Sequence, residues 1–195
     1  TYPFGAEWLF DAIVRSYLPV LDIARDLTVT VTPVLADPLE ADGVPDRLET
    51  FLSQYRVGSA RVDIETTEPD YVPAAEAEHA RYTRAAELLS AHGGDPLAAF
   101  QEASASGRVC LAASSATHAV LPLLATKKGL DLQIATGMES HQRRFGRTGG
   151  FWLPECAYEP GLEWDLACHG VEWFCTDQSR FESGDEALAP VRTGA

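Results

Sequence analysis

The fold of this chain is decided by one stretch, Gly149-Gly150-Phe151-Trp152-Leu153-Pro154-Glu155-Cys156-Ala157-Tyr158. Residues 151–153 are large and apolar, which favours a buried strand, and Pro154 lacks the backbone N–H that a central strand needs. The strand therefore ends before Pro154, and Glu155 lies in the loop that follows it. In α/β proteins, catalytic side chains lie in the loops at the carboxyl ends of parallel strands.

Strand and helix patterns alternate along the rest of the chain. Four strands are predicted, near residues 28, 109, 151 and 172. Strands that alternate with helices indicate a parallel sheet with crossover helices, which is an α/β fold. No Gly-x-Gly-x-x-Gly motif follows any of these strands, so a dinucleotide-binding fold has no support.

Several helix boundaries can be read from glycine and proline. A helix is expected over residues 7–27, bent or split at Pro19. A loop is expected to begin at residues 37–38, and a short helix over residues 121–128 is expected to stop at Gly129. The helices within residues 66–106 look like an insertion between two strands of a single domain.

The composition excludes several classes of partner. A net charge of −14 argues against nucleic acid, which is bound through clustered Lys and Arg, and against an anionic membrane surface. No apolar run approaches the ~20 residues of a membrane span, and no signal peptide is seen. Three cysteines in apolar contexts are expected to be reduced core residues of a cytoplasmic protein: Cys110, Cys168 and Cys175. Cys156 is the exception, because it adjoins Glu155.

The side chains around Glu155 suggest work on carbohydrate. Trp152 and Tyr158 offer flat apolar faces of the kind on which sugar rings stack. A structural interpretation competes with this one, because Glu155 also precedes a helical pattern near residue 161, where a carboxylate favours the helix dipole.

Several motifs resemble family 57 of the glycoside hydrolases, and within it the 1,4-α-glucan branching enzymes. The string Trp-Leu-Pro-Glu-Cys-Ala-Tyr at 152–158 is similar to the family's nucleophile region. Three further stretches agree with this subgroup: Pro3-Phe4-Gly5-Ala6-Glu7-Trp8-Leu9, Thr32-Pro33-Val34-Leu35-Ala36-Asp37 and Ser115-Ala116-Thr117-His118. The resemblance runs from about residue 3 to about residue 178.

The resemblance implies a fold, a reaction and roles for some residues. The fold would be a partial (β/α)7 barrel, with residues 1–195 a fragment of one catalytic domain. Glu155 would be the nucleophile of a retaining reaction on an α-1,4-glucan, with no cofactor and no metal. The acid/base partner would be an Asp beyond Ala195, so residues 1–195 alone are expected to be inactive.

Other candidate residues each keep two interpretations. His118 either holds a sugar hydroxyl or the nucleophile, or is an ordinary loop histidine. Trp152 either stacks on a sugar or fills the barrel, and Cys156 either lines the donor subsite or only packs. Asp37 and Asp177, both expected at strand ends, either contact substrate or cap loops.

Three alternative functions remain open at this point. Within the same family, the chain could belong to an α-amylase or a 4-α-glucanotransferase. A metal-dependent polysaccharide deacetylase would need a His-x-x-x-His cluster with an Asp, and the five histidines lack that spacing. An inactive glucan-binding module is the third alternative.

Overall fold

A computed structural model describes residues 6–177, 190 and 192–194. The helices are α1 (Ala6–Ala12), α2 (Leu18–Ile23), α3 (Pro33–Glu40), α4 (Val44–Thr50), α5 (Gly58–Thr66), α6 (Val72–Ala91), α7 (Pro96–Ala105), α8 (Lys127–Phe145) and α9 (Leu162–Cys168). The strands are β1 (Leu27–Thr30), β2 (Val109–Ser114), β3 (Gly150–Trp152) and β4 (Trp173–Cys175).

The chain divides into two compact units, each built from two stretches of sequence. The helical unit comprises Thr1–Leu27 and Pro38–Val109, and the sheet unit comprises Thr28–Asp37 and Cys110–Ala195. Apart from the first residues of β1 and β2, all four strands lie in the sheet unit. The assignment of 1–195 to one barrel domain with an insertion at 66–106 stays a prediction.

The four strands form one sheet in the order β1-β2-β3-β4. The pairs β2–β3 and β3–β4 are parallel, with Ser114 opposite Trp152 and Trp152 opposite Cys175. Strands that stay in chain order are wound in one direction, as in a barrel, whereas a doubly wound sheet reverses its order. The predicted α/β architecture is therefore confirmed at the level of the sheet.

One face of the sheet packs against helices and forms the core of the sheet unit. The core consists of Ala113, Leu121, Ile134, Phe151, Leu153, Leu162, Leu166 and Val171. Phe151 and Leu153 are fully buried. Since side chains alternate along a strand, Trp152 points to the opposite face.

The first helical segment changes from α- to π-helical hydrogen bonding just before its proline. Between α1 and α2 the chain forms π-helical turns over Ile13–Tyr17, and Leu18 N–H bonds to the carbonyl of Ile13. Pro19 is the second residue of α2 and has no N–H to donate to the preceding turn. The wider turn accommodates the proline ring without ending the helix.

Two helix boundaries were predicted wrongly. Gly129 does not stop a helix, because Thr126 caps the start of α8 by accepting the N–H of Gly129 at 3.1 Å. The expected helix over 121–128 is only a 3-10 turn at Leu121–Leu123. The loop expected at residues 37–38 is instead the second half of α3, which begins at Pro33.

The cysteines differ from the expectation of buried core residues. All four are free thiols, but Cys110, Cys168 and Cys175 are exposed and Cys156 is half-buried. Cys110 and Cys175 lie on strands, on the face opposite the core, which the apolar sequence context did not reveal. Among the described residues, no helix combines the length and apolar character that crossing a membrane requires.

Candidate active site at the ends of the central strands

Glu155 lies in a tight 3-10 turn, Pro154–Cys156, directly after β3. Its backbone is left-handed (φ 58°, ψ 20°), and Cys156 follows with φ 51°. Such conformations cost about 1–3 kcal/mol each in residues other than glycine and cluster at functional sites. The side chain of Glu155 is 70% exposed, so its carboxylate is open to a ligand.

His118 reaches the same place from the loop after β2. Its Nε2 lies 3.4 Å from Oε1 of Glu155, and its own backbone is also left-handed, with φ 57°. Ser114, at the end of β2, lies opposite Trp152, at the end of β3. His118 and Glu155 therefore lie a similar number of residues beyond two neighbouring strand ends. Of the two interpretations that the sequence left open for His118, the structure shows its ring beside Glu155, and a role of this contact in catalysis stays a prediction.

Two hydroxyl groups tie the three strand ends together. Ser114 Oγ donates to the carbonyl of Trp152 at 2.9 Å, linking β2 to β3. Thr176 Oγ1, one residue after β4, donates to the carbonyl of Cys156 at 3.1 Å. The turn that carries Glu155 is therefore held from both neighbouring strands.

Cys156 lies in an acidic environment. Burial raises the pKa of its thiol, and Asp177, Cys175 and Glu155 raise it further. This places Asp177, two residues after β4, near the turn that carries Glu155. A thiol kept protonated beside a carboxylate is a weak donor and a poor nucleophile.

Trp152 and Tyr158 flank Glu155 in the sequence, three residues before it and three residues after it. Trp152 is half-buried on the sheet face opposite the core. Tyr158 stacks on Phe174, with 5.6 Å between ring centroids, and donates its hydroxyl to Glu163 at 2.8 Å. Its ring orientation is therefore fixed by the fold, and contact of either ring with a sugar stays a prediction.

Asp37 lies elsewhere in the sheet unit. It belongs to α3 and not to a strand end, because Pro33 starts a helix immediately after β1. Its carboxylate pairs with the guanidinium of Arg144, in the last turn of α8. This ion pair gives Asp37 a structural partner, and substrate contact by Asp37 remains a prediction without geometric support.

Sequence reasoning missed the residues that hold the loop of His118. Gln133 and Gly137 on α8 contact this loop, and neither stands out in the helical pattern. A glycine in the middle of a helix is the one signal available, since it costs stability unless a close approach requires it.

The arrangement is suited to carboxylate chemistry. An open carboxylate with a histidine within reach of it can act as a nucleophile on an anomeric carbon. Within the described part of the chain, no group of three or more His, Cys, Asp and Glu is placed to hold a metal ion.

Known proteins resemble this chain in both sequence and structure. A curated 1,4-alpha-glucan branching enzyme from Thermococcus kodakarensis is 33% identical over 176 residues, which is 85% of this chain and 26% of the relative. The crystal structure of a GH57-type branching enzyme from Pyrococcus horikoshii matches with a TM-score of 0.80 and 29% identity, covering 89% of this chain and 38% of that chain.

A second solved structure that resembles this chain is that of an enzyme with a different activity. The alpha-amylase AmyC from Thermotoga maritima matches with a TM-score of 0.81 and 26% identity, covering 89% of this chain and 35% of that chain. The chain thus spans about a quarter of the curated relative and just over a third of the two solved chains.

These matches bear on the fold and on the family. The structural neighbours are (β/α)7 barrel enzymes, which confirms the predicted fold class. The family model for Glycosyl hydrolase family 57 matches residues 1–193, nearly the whole chain. The motif at 152–158, the open carboxylate at a strand end and this match lead to one conclusion: the chain belongs to glycosyl hydrolase family 57.

Proposed function

We propose that this chain carries the nucleophile, Glu155, of a 1,4-α-glucan branching enzyme. The single observation that supports this role best is the contact between Glu155 Oε1 and His118 Nε2 at 3.4 Å, in a strained turn at a strand end. The substrate class comes from the relatives, one of which is a curated 1,4-alpha-glucan branching enzyme. Trp152, Cys156, Tyr158 and Asp177 are proposed to line the glucan site.

The proposed reaction proceeds in two displacements. The Glu155 carboxylate attacks the anomeric carbon, the bond from that carbon to the glycosidic oxygen breaks, and a separate carboxylic acid protonates the departing oxygen. The 6-hydroxyl of a glucan then attacks the anomeric carbon and displaces Glu155, while the second carboxylate takes the hydroxyl proton. We assign the second carboxyl group to an Asp outside residues 1–195, as the family resemblance implies.

His118 is proposed to keep Glu155 ready for attack. Its Nε2 lies 3.4 Å from Oε1 of Glu155, so the imidazole limits the rotation of the carboxylate and holds it in one orientation. Loss of such a positioning contact is expected to slow turnover about 10- to 100-fold.

Replacement of Glu155 by Gln tests the proposed nucleophile. In the full-length protein, Glu155→Gln should lower branching activity on amylose by at least ~10⁴-fold, because an amide cannot form the glycosyl ester. Glu159→Gln is the matched control, since Glu159 is exposed four residues further along. Full activity of Glu155→Gln, or a fluorosugar trapped on another residue, would contradict the proposed role of Glu155. Absence of turnover by the wild-type full-length protein would instead favour a glucan-binding module.

An α-amylase is the second candidate, supported by the match to AmyC. The two activities differ in the acceptor, which is a glucan hydroxyl in branching and water in hydrolysis. Wild-type full-length protein incubated with amylose should produce α-1,6 branch points without a net rise in reducing ends. A steady rise in reducing ends without branch points would instead establish the amylase.

A further inference from the structure

Helix α8 holds the loop that carries His118 through three hydrogen bonds to one residue. The backbone carbonyl of Gln133 accepts the N–H of Ala116 at 3.0 Å. Its side-chain Oε1 accepts the N–H of Thr117 at 3.0 Å and the hydroxyl of Thr117 at 3.2 Å. Gln133 thus fixes both the backbone and the side chain of the residue directly before His118.

Gly137 makes this close approach sterically feasible. It lies one helical turn after Gln133, and a Cβ at this position would come within 1.9 Å of the carbonyl oxygen of Ser114 and 3.3 Å of the N–H of Ala116. Because Gly137 has no side chain, the end of β2 can lie directly against α8. The second lone pair of the Gln133 carbonyl then remains accessible to the loop.

Besides Gln133, a hydrogen bond from Ser115 Oγ to the carbonyl of Ala119, at 3.2 Å, closes the loop around His118. His118 itself is held more weakly. Its side chain is 43% exposed, so packing holds the imidazole only in part. Its backbone N–H makes only a long bond, 3.4 Å, to the carbonyl of Ser115. Its left-handed φ of 57° is unfavourable and requires support from neighbouring contacts.

We propose that Gln133 is a positioning residue that acts through His118 on Glu155. By anchoring Thr117, it keeps His118 in the left-handed conformation that brings Nε2 to Glu155. This inference rests on the proposed function, since it assumes that the contact between His118 and Glu155 serves turnover. Gln133 itself lies on the helix behind the loop and is assigned no contact with the glucan.

The test compares substitutions of Gln133 in the full-length protein. Gln133→Met keeps the length of the side chain but removes the acceptor, and should lower kcat on amylose about 10-fold with little change in KM. Gln133→Glu retains an acceptor for both Thr117 groups and should stay within about threefold of wild type. Gln142→Met, the same change at an exposed position of α8, is the matched control and should leave kcat unchanged.

A double-mutant cycle separates positioning from a general structural effect. In a His118→Ala background, Gln133→Met should cause no further loss, because the residue that it positions is absent. An equal loss in both backgrounds, or no loss from Gln133→Met in the wild-type background, overturns the inference. Thr117→Val, which removes only the hydroxyl, should give a smaller loss that also vanishes without His118, and it keeps the test decisive if Gln133→Met folds poorly.

If the proposed function is wrong, the activities of the variants will differ from those expected if only the role of Gln133 is wrong. If Glu155→Gln and His118→Ala both retain wild-type branching activity, the site itself is wrong. If both lose activity but the effects of Gln133→Met and His118→Ala simply add, the site stands and only the role of Gln133 is wrong.

Discussion

Glu155 and Cys156 form a consecutive pair of left-handed residues, neither of which is glycine. The turn around them is closed by Cys156 N–H to Leu153 O at 2.9 Å and by Ala157 N–H to Pro154 O at 3.1 Å. These bonds, with that from Thr176, offset the unfavourable backbone conformations. The left-handed conformation turns the carboxylate of Glu155 away from the strand direction and towards solvent.

Burial of His141 makes the stability of the protein sensitive to acid. His141 is 4% exposed on α8, its Nδ1 has no hydrogen-bond partner among the described residues, and burial lowers its pKa to about 4. Below the ordinary value of 6.5, the unfolded chain binds a proton that the folded protein does not. Stability is therefore complete above pH 6.5 and decreases as the pH falls towards 4, by about 3 kcal/mol in all.

His141→Leu should abolish this part of the acid sensitivity. Urea unfolding at pH 7.5, 6.5, 5.5 and 4.5 measures the free energy of unfolding of both proteins. As the pH is lowered, we expect the free energy of unfolding to decrease more for the wild type than for the variant. His79→Leu, at a half-buried position of α6, is the control. A variant with the pH dependence of the wild type would show that His141 titrates normally.

At the scale of the elements, α8 and β2 can lie close together because residue 137 is a glycine. Gly137 lies where a Cβ would overlap the carbonyl oxygen of Ser114. Backbone atoms at a strand end cannot move aside as a flexible side chain can. Any substitution here must therefore displace either the helix or the strand that leads to His118.

Gly137→Ala is expected to destabilise the protein by roughly 3 kcal/mol, despite the higher helix propensity of alanine. Gly58→Ala is the matched control, because a Cβ on this helical glycine would meet its nearest neighbour at an ordinary 3.5 Å. It should leave stability unchanged or raise it by up to about 1 kcal/mol. Equal midpoints of urea unfolding for the two variants would contradict the close approach at Gly137.

The elements differ in how far sequence determines them. The strands β1 to β4 lie at the positions predicted for them, near residues 28, 109, 151 and 172, because their patterns are local. Gly129 misled the prediction, since its meaning depends on Thr126, whose hydroxyl starts a helix there. Pro38 misled it too, since a proline inside a helix is tolerated only in a suitable tertiary setting.

At the scale of the whole molecule, the site could be predicted in part. The motif at 152–158 indicated Glu155 as the candidate nucleophile, and the order of the strands in the sheet places His118 beside it. The hydrogen bonds between Gln133 and Thr117 could not be predicted from the sequence, because they depend on how closely α8 approaches β2. The ion pair of Asp37 joins residues 107 positions apart and likewise has no local signal.

That ion pair connects the two stretches of sequence that make up the sheet unit. The side chain of Arg144 is 2% exposed and that of Asp37 is 68% exposed. Asp37→Asn removes one charged partner of the buried guanidinium and should cost about 1–3 kcal/mol, reduced by the exposure of Asp37. In an Arg144→Met background the same change should cost almost nothing.

Urea unfolding of the four proteins in this cycle measures the coupling between Asp37 and Arg144. Asp22→Asn, which breaks an exposed pair with Arg84, should cost less than about 1 kcal/mol and serves as the control. A coupling free energy near zero would show that the ion pair does not hold the unit together.

The discontinuous sheet unit has a consequence during synthesis on the ribosome. About 80 residues separate the end of β1 from the start of β2, its neighbour in the sheet. At ~5–20 residues per second, β1 waits roughly 4–16 s before its partner strand is translated. The nascent chain must therefore keep one β-strand unpaired while the intervening helices emerge, which makes this interval the time at which a chaperone would be of most use.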